Sequence, residues 1–296
     1  METKRIAKTG NVFPPKEIKP VKSSKKKNQL KLSIFSIVIA ILFLSPFYIV
    51  LTNSFKTQKG IFTNVINLPF GEHFSSTNYV EAFHELNFIR AFTNSLLITV
   101  TSTIIIIVFA SMAAWMLVRT KTKLSIFFFF LFAAAMLVPF QSVMLPLVFI
   151  MGKLGFLNPY GLIFMYLGFG SSLAIILYHG FIKSIPVELE EAATIDGCNK
   201  FQVFWYIIFP LLKPITVTVS ILNAMWIWND FLLPQLVINK PQWHTIPLRM
   251  FYFFGQYSKK WHLALAGLVL GMIPIILFYF FAQKHIIKGV TDGSIK

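Results

Sequence analysis

The chain has 296 residues, of which 56% are hydrophobic and 13% charged, about half the charged share of a soluble domain. Phe alone occurs 33 times, an apolar load that excludes a soluble globular fold and calls for a bilayer. The net charge is +16, and the single cysteine, Cys198, excludes an internal disulfide or a multi-cysteine metal site.

Residues 1–31 read as a basic, disordered cytoplasmic tail. They hold ten of the 27 Lys and Arg residues, including Lys25-Lys26-Lys27, with Pro14, Pro15 and Pro20 and little to bury. Such a tail sets topology and attracts anionic membrane lipid. It lacks the aromatic interleaving and the modules of nucleic-acid binders, so no nucleic-acid partner is expected. Residues 32–55 carry no charge and form the first transmembrane helix. The run is too long for a cleaved signal peptide, and no small-x-small cleavage site follows it.

Residues 56–90 read as an external loop. Between Asn78 and Arg90 the apolar residues Tyr79, Phe83 and Leu86 fall at helical spacing. The resulting amphipathic helix either lies on the outer membrane face or packs against its neighbours. The core, 91–284, holds five more spans. Four are the charge-free windows 91–118, 124–152, 154–182 and 261–283; the other is 214–239, whose only charge is Asp230. Each exceeds the roughly 20 residues that cross a hydrocarbon core. Continuous apolar runs satisfy their backbone in lipid as helices. Pro139 and Pro146 in the third span and Pro274 in the sixth are expected to kink them. Residues 285–296 read as a cytoplasmic C-terminal tail. Six spans put both termini on one side, with 19 Lys and Arg there against 8 across, the positive-inside pattern. The expected fold is an all-α membrane protein with six transmembrane helices and both termini cytoplasmic.

The loop 184–210, between the fourth and fifth spans, falls in the cytoplasm by this parity. Ser184 is placed to cap a helix, with Pro186 in the first turn and Glu188 at the positive helix end. Gly197 ends that helix. A second starts at Asn199, which forms a capping-box pair with Gln202. Its apolar face is Phe201, Phe204, Trp205 and Ile208, and Pro210 stops it. Cys198 lies between the two helices and reads as an inert reduced thiol.

The run Ile185-Pro186-Val187-Glu188-Leu189-Glu190-Glu191-Ala192-Ala193-Thr194-Ile195-Asp196-Gly197, followed by Ile207 and Pro210, resembles the signature loop of ABC importer permeases, in the form used by the carbohydrate-uptake branch. Cys198 stands where that family usually has Ala, and Phe209 where it usually has Leu. The resemblance extends to Pro46-Phe47, Ser54-Phe55-Lys56, Phe92 to Ser95, Ala113 to Arg119, Trp228 to Phe231, Pro234, and Gln283 to Gly293. Together these look like the MalG type of permease and imply the type I importer architecture. The resemblance implies that the loop is a coupling helix docked on a cytoplasmic ATPase. That role is carried to Glu190, Glu191, Ala192, Ala193, Asp196, Gly197, Ile207 and Pro210, with the carboxylates meeting basic groups of the partner. It further implies a second, MalF-like permease, two cytoplasmic ATPase subunits that bind ATP and Mg, an extracytoplasmic sugar-binding protein, and residence in a bacterial cell membrane.

Polar groups within spans usually face a bundle interior or a water-filled path. Gln141, Asn223, Trp226, Asn229 and Asp230 either line the translocation pathway or bond helix to helix. No Gly-x-x-x-x-Gly-Lys-Ser/Thr run occurs, so this chain is not expected to hydrolyse ATP. Neither catalytic residues, nor a metal site, nor a cofactor of its own is expected. Related permeases for glycerol phosphate or peptides share the loop. An ion-coupled secondary carrier would need a partner for Asp230, which the sequence does not offer. A membrane enzyme built on Glu188, Glu190, Glu191 and Asp196 lacks a histidine in the loop.

Overall fold

The structure is a computed structural model that describes residues 24–253 and 259–294. Most of the expected tail 1–31 therefore lies outside the described residues. Residues through Tyr48 form one compact unit and Ile49–Lys296 a second. The first unit is helical: α1 runs Ser24–Ser54, so helix already covers the last residues of that tail. Extending a helix adds one backbone bond per residue, and Lys, Gln and Leu are good helix formers.

The second unit begins with the end of α1. Then follow α2 (Gln58–Thr63), a 3-10 turn at Gly71–His73 and α3 (Thr77–Glu85). Buried Asn78 donates its side-chain amide to the Ser54 and Lys56 carbonyls at 2.9 and 2.8 Å. Lys56 is itself buried, its ammonium bonded to Asn53 Oδ1, Asn64 O and Val65 O. Burial pushes its pKa down. α3 takes the packed alternative: Ala82 and Leu86 are buried with Phe253, Leu263 and Ala264.

Next come α4 (Phe88–Arg119), α5 (Lys123–Ala135), α6 (Phe140–Lys153) and α7 (Pro159–Ile182). The connection that follows α7 holds α8 (Glu188–Ile195), α9 (Lys200–Gln202), a π-helical stretch at Val203–Ile208 and α10 (Phe209–Leu211). After these are α11 (Lys213–Asn229), α12 (Leu232–Val237), α13 (Ile246–Phe251) and α14 (Trp261–Ser294). Among the described residues the one β interaction is an isolated bridge, Lys56 with Phe74.

Among the described residues four helices are long and apolar enough to cross a membrane, and up to six spans result when each of two bent pairs counts as one. The third span was expected as one kinked helix over 124–152. It is broken, with α5 and α6 meeting at 104°. Pro139 disfavours helical backbone at Val138 and becomes the N-cap of α6, whereas Pro146 stays inside that helix. The fifth span is also shorter than its window 214–239, because α11 ends at Asn229 and Asp230 turns extended. At the C-terminal end, α14 continues through Ser294, so most of the expected tail 285–296 is helix; its last two residues lie outside the described part.

The core is built around α7. It packs along α4, with α11 and α5 against it, and its Leu162, Tyr166, Ile175, Tyr178 and Ile182 are buried. Gly170 lets α4 and α11 close in: a Cβ there would stand 2.5 Å from Ile106 Cδ1 and 2.6 Å from Asn223 Oδ1. Gly170→Val is expected to destabilise the protein by about 1–3 kcal/mol through overpacking. A lowered thermal unfolding temperature in detergent would register it, and an unchanged one would refute this packing.

Candidate functional site

The loop between α7 and α11 leaves α7 by continuing its turn. Ser184 does not cap α8; its hydroxyl donates back to the Phe181 carbonyl at 2.7 Å. The backbone bonds Ser184 N to Phe181 O and Ile185 N to Ile182 O carry the turn on, so α8 starts later, with Val187 as N-cap. Glu188, Glu190 and Glu191 then fill its first turn, where the positive helix end favours them. Its C-terminus is a Schellman motif: Cys198 N bonds Ala193 O at 3.0 Å and Gly197 N bonds Thr194 O at 3.1 Å. Gly197 has φ +89°, the left-handed region that glycine enters without strain. Asn199 and Gln202 form the expected capping box.

Pro210 does not end the second helix. Lys200–Leu211 is one helical run, and Phe209 N bonds Phe204 O across the widened π turn. That widening loosens the backbone just ahead of the proline ring. The chain bends by 78° only at Leu212, before α11. The buried face is Val203, Phe204 and Ile208; Phe201, expected on it, is exposed, and Ile207 and Trp205 are half-buried. Cys198 is half-buried against the same core.

α8 divides into two faces. Glu190 and Ala193 point inward and are buried. Glu188, Glu191, Ala192 and Ile195 form an exposed stripe at i, i+3, i+4, i+7, with Asp196 exposed just beyond it. Ile195 is 86% exposed, unusual for an isoleucine, on a helix of which only Glu190 and Ala193 are buried. Glu190 therefore does not face a partner as expected. Arg119 Nε donates to its Oε1 at 2.7 Å, and Trp115 Nε1 to its Oε2 at 3.0 Å. A cleft of about 570 Å³ opens beside this cluster, lined by Arg119, Glu191, Ile195 and Lys200 among others.

The intramembrane polar residues separate into three groups. Asn223 is buried, donates to Val219 O at 3.0 Å and faces Gly170, so it serves helix packing. Asp230 accepts from the Tyr166 hydroxyl at 2.9 Å and, at 3.0 Å, from the backbone N–H of Leu232, the first residue of α12. Trp226 is half-exposed and meets the Tyr166 ring edge-on at 5.5 Å. Trp226 and Asp230 thus share one buried tyrosine. Asn229 is exposed, with its amide bonded to Met225 O, and Gln141 is exposed in the first turn of α6.

Residues 106–292, which include the whole 184–210 loop, match the family described as the binding-protein-dependent transport system inner membrane component. The chain belongs to this family. Relatives of this transport permease include the "Probable starch degradation products transport system permease protein AmyC" of Thermoanaerobacterium thermosulfurigenes, 51% identical over 90% of this chain and 96% of that protein. The multiple sugar-binding transport system permease protein MsmG of Streptococcus mutans is 36% identical over 93% and 100%. The melibiose/raffinose/stachyose import permease protein MelC of Bacillus subtilis is 33% identical over the same shares. The permease also shares its fold with a chain in the crystal structure of a bacterial ABC transporter involved in alginate import. The TM-score is 0.73 at 23% identity, over 90% of this chain and 99% of that one.

Three residues of this site had no role assigned from the sequence. Arg119 and Trp115 are visible as the end of the second span, but nothing local ties them to Glu190. Ile195 hides in the motif because periodicity alone does not say which face of an eight-residue helix is wet.

Proposed function

We propose that this chain is one permease subunit of an ATP-driven, binding-protein-dependent importer of sugars or oligosaccharides. The observation that carries the proposal is the exposed stripe Glu188, Glu191, Ala192 and Ile195 on α8. Two carboxylates and an uncovered isoleucine, held on a capped helix outside the membrane core, are suited to a basic and apolar cleft on another subunit. Small Ala192 permits close approach. The names of the three relatives support carbohydrate as the cargo.

On this reading the chain pairs with a second, MalF-like permease, and the two form the pore. An extracytoplasmic binding protein delivers substrate, and two cytoplasmic ATPase subunits bind ATP and Mg and close. The 185–209 loop moves with them, and the pore alternates between inward-facing and outward-facing states. Both termini lie in the cytoplasm. Trp226, Asn229 and Gln141 have exposed side chains and remain suited to the path, an indole face for sugar C–H surfaces and amides for hydroxyls. Asp230 shapes that region through Tyr166 and α12.

The test is purification of the tagged chain in mild detergent, with mass spectrometry of what accompanies it. ATPase activity of the eluate is assayed, and labelled maltotriose and raffinose uptake is compared in cells with and without the chain. A second permease and an ATPase in the eluate, with uptake that needs the chain, are expected. A chain that purifies alone, without ATPase activity, overturns the proposal. Uptake of glycerol phosphate or peptide in place of sugar would reassign the cargo.

A further inference from the structure

The inward face of α8 has a chemistry of its own. Both oxygens of the Glu190 carboxylate are taken by donors from the last turn of α4, Arg119 Nε at 2.7 Å and Trp115 Nε1 at 3.0 Å. The second arm of the guanidinium, Nη2, donates to the Ile185 carbonyl at 3.0 Å, in the segment that leads into α8. The Trp115 ring also packs on Phe204, with centroids 5.5 Å apart, and Phe204 belongs to the second cytoplasmic helix. One turn of α4 thus holds the entry to α8, α8 itself and the helix that follows. Trp115 and Arg119 lie at i and i+4, so one face of α4 supplies every donor. The pair is largely shielded from water, with 11% of the Glu190 and 21% of the Arg119 side chain exposed. Charge-assisted bonds that share both oxygens of a carboxylate fix direction as well as distance.

We infer that Arg119 and Trp115 are positioning residues that clamp α8 to the cytoplasmic end of α4, so that a displacement of α8 is delivered to the membrane helices. The inference rests on the importer reading above. If α8 met its ATPase but were held only by flexible connectors, its motion would be lost in the loop. The clamp instead ties it to α4, which packs along α7 at the centre of the fold. The outward stripe receives the push, and the inward carboxylate passes it on. Lysine cannot replace Arg119 fully, because an ammonium lacks the planar fork that reaches Glu190 and Ile185 together.

The test uses the full complex carrying Glu190→Gln, Arg119→Gln, Arg119→Lys or the exchange pair Arg119→Glu with Glu190→Arg. Co-purification of the ATPase, basal ATP hydrolysis and sugar imported per ATP are read for each. The two Gln variants are expected to retain the ATPase and its basal hydrolysis while sugar imported per ATP falls at least tenfold. Arg119→Lys should fall between them and the unaltered chain, and the exchange pair should recover part of the loss. Unchanged import per ATP in the Gln variants overturns the clamp. So does loss of ATPase co-purification in every variant, the exchange pair included, because the contact would then only hold the loop folded. Failure of the unaltered chain to bring down an ATPase overturns the importer reading and the clamp together, a result distinct from failure of the variants alone.

Discussion

Gly197→Pro is expected to abolish sugar uptake while the chain still inserts in the membrane. Gly197 holds φ +89°, and a proline ring fixes φ near −65°. The substitution also deletes the N–H that bonds Thr194 O at 3.1 Å, and the shift in backbone breaks the bond from Cys198 N to Ala193 O. The last turn of α8 then loses both closing bonds, and the Asn199 capping box that starts the next helix is displaced. Gly197→Ala separates conformation from bulk. A Cβ at this position meets nothing within 4 Å, so its cost is only the left-handed backbone, about 1–2 kcal/mol. Partial activity is expected from Ala and none from Pro. Immunoblots of the membrane fraction, read beside uptake, check both, and full uptake by membrane-inserted Gly197→Pro would remove the coupling assignment. Glu191→Lys probes the outer face in the same assay. Glu191 is exposed and its carboxylate has no hydrogen-bond or ion-pair partner among the described residues, so reversing its charge should leave folding stability within about 0.5 kcal/mol. A like charge placed against a basic partner surface costs several kcal/mol, enough to lower uptake about 100-fold or more. Uptake lost at unchanged stability is the expected pattern.

The long helices were legible because lipid leaves an apolar run of 20 residues one solution, and α1, α4, α7 and α14 follow from it. Local chemistry was legible too. The Asn199–Gln202 box and the left-handed Gly197 depend on residues within three or four positions of each other. What stayed hidden depends on distance in sequence. Glu190 and Ala193 share one face of α8, and Glu188, Glu191, Ala192 and Ile195 share another, but periodicity does not choose between them. The choice is made by Arg119, 71 residues away. Asn223 looks like a pathway residue until Gly170 brings α7 against it. Pro139 and Pro146 look equivalent in the sequence, yet one breaks the third span and the other stays inside a helix. Pro210 lost its role as a stop because a π turn absorbed it, a backbone adjustment that no residue pattern announces.

Gly161→Ala is expected to be the most damaging single methyl in the protein's central helix. The connection from α6 to α7 is very short. Gly155, at φ +73°, closes α6 through bonds from Gly155 N to Gly152 O and from Phe156 N to Met151 O. Four residues after Gly155, Pro159 opens α7, with Asn158 as N-cap accepting from Gly161 N at 3.0 Å and donating to Gly155 O at 2.9 Å. This folds the Phe156 carbonyl over the first turn of α7. A Cβ on Gly161 would lie 1.9 Å from the Phe156 oxygen and 2.7 Å from its carbon, against a carbon–oxygen contact of roughly 3.3 Å. The obstacle is backbone, so no rotamer relieves it. The turn must open by more than 1 Å, and the Asn158 cap is lost with it. The cap alone is worth about 1 kcal/mol, and overpacking adds about 1–3 kcal/mol. Gly168 and Gly180 on the same helix supply the control, since a Cβ at either meets nothing within 4 Å. Alanine there should be neutral or stabilising by up to about 1 kcal/mol through helix propensity. Thermal unfolding of the three variants in one detergent decides the matter. A steep fall for Gly161→Ala beside level or raised values for the other two is expected. Equal values for all three would show that the α6–α7 turn does not hold α7 in place, and that the helix docks on α4 by its apolar face alone.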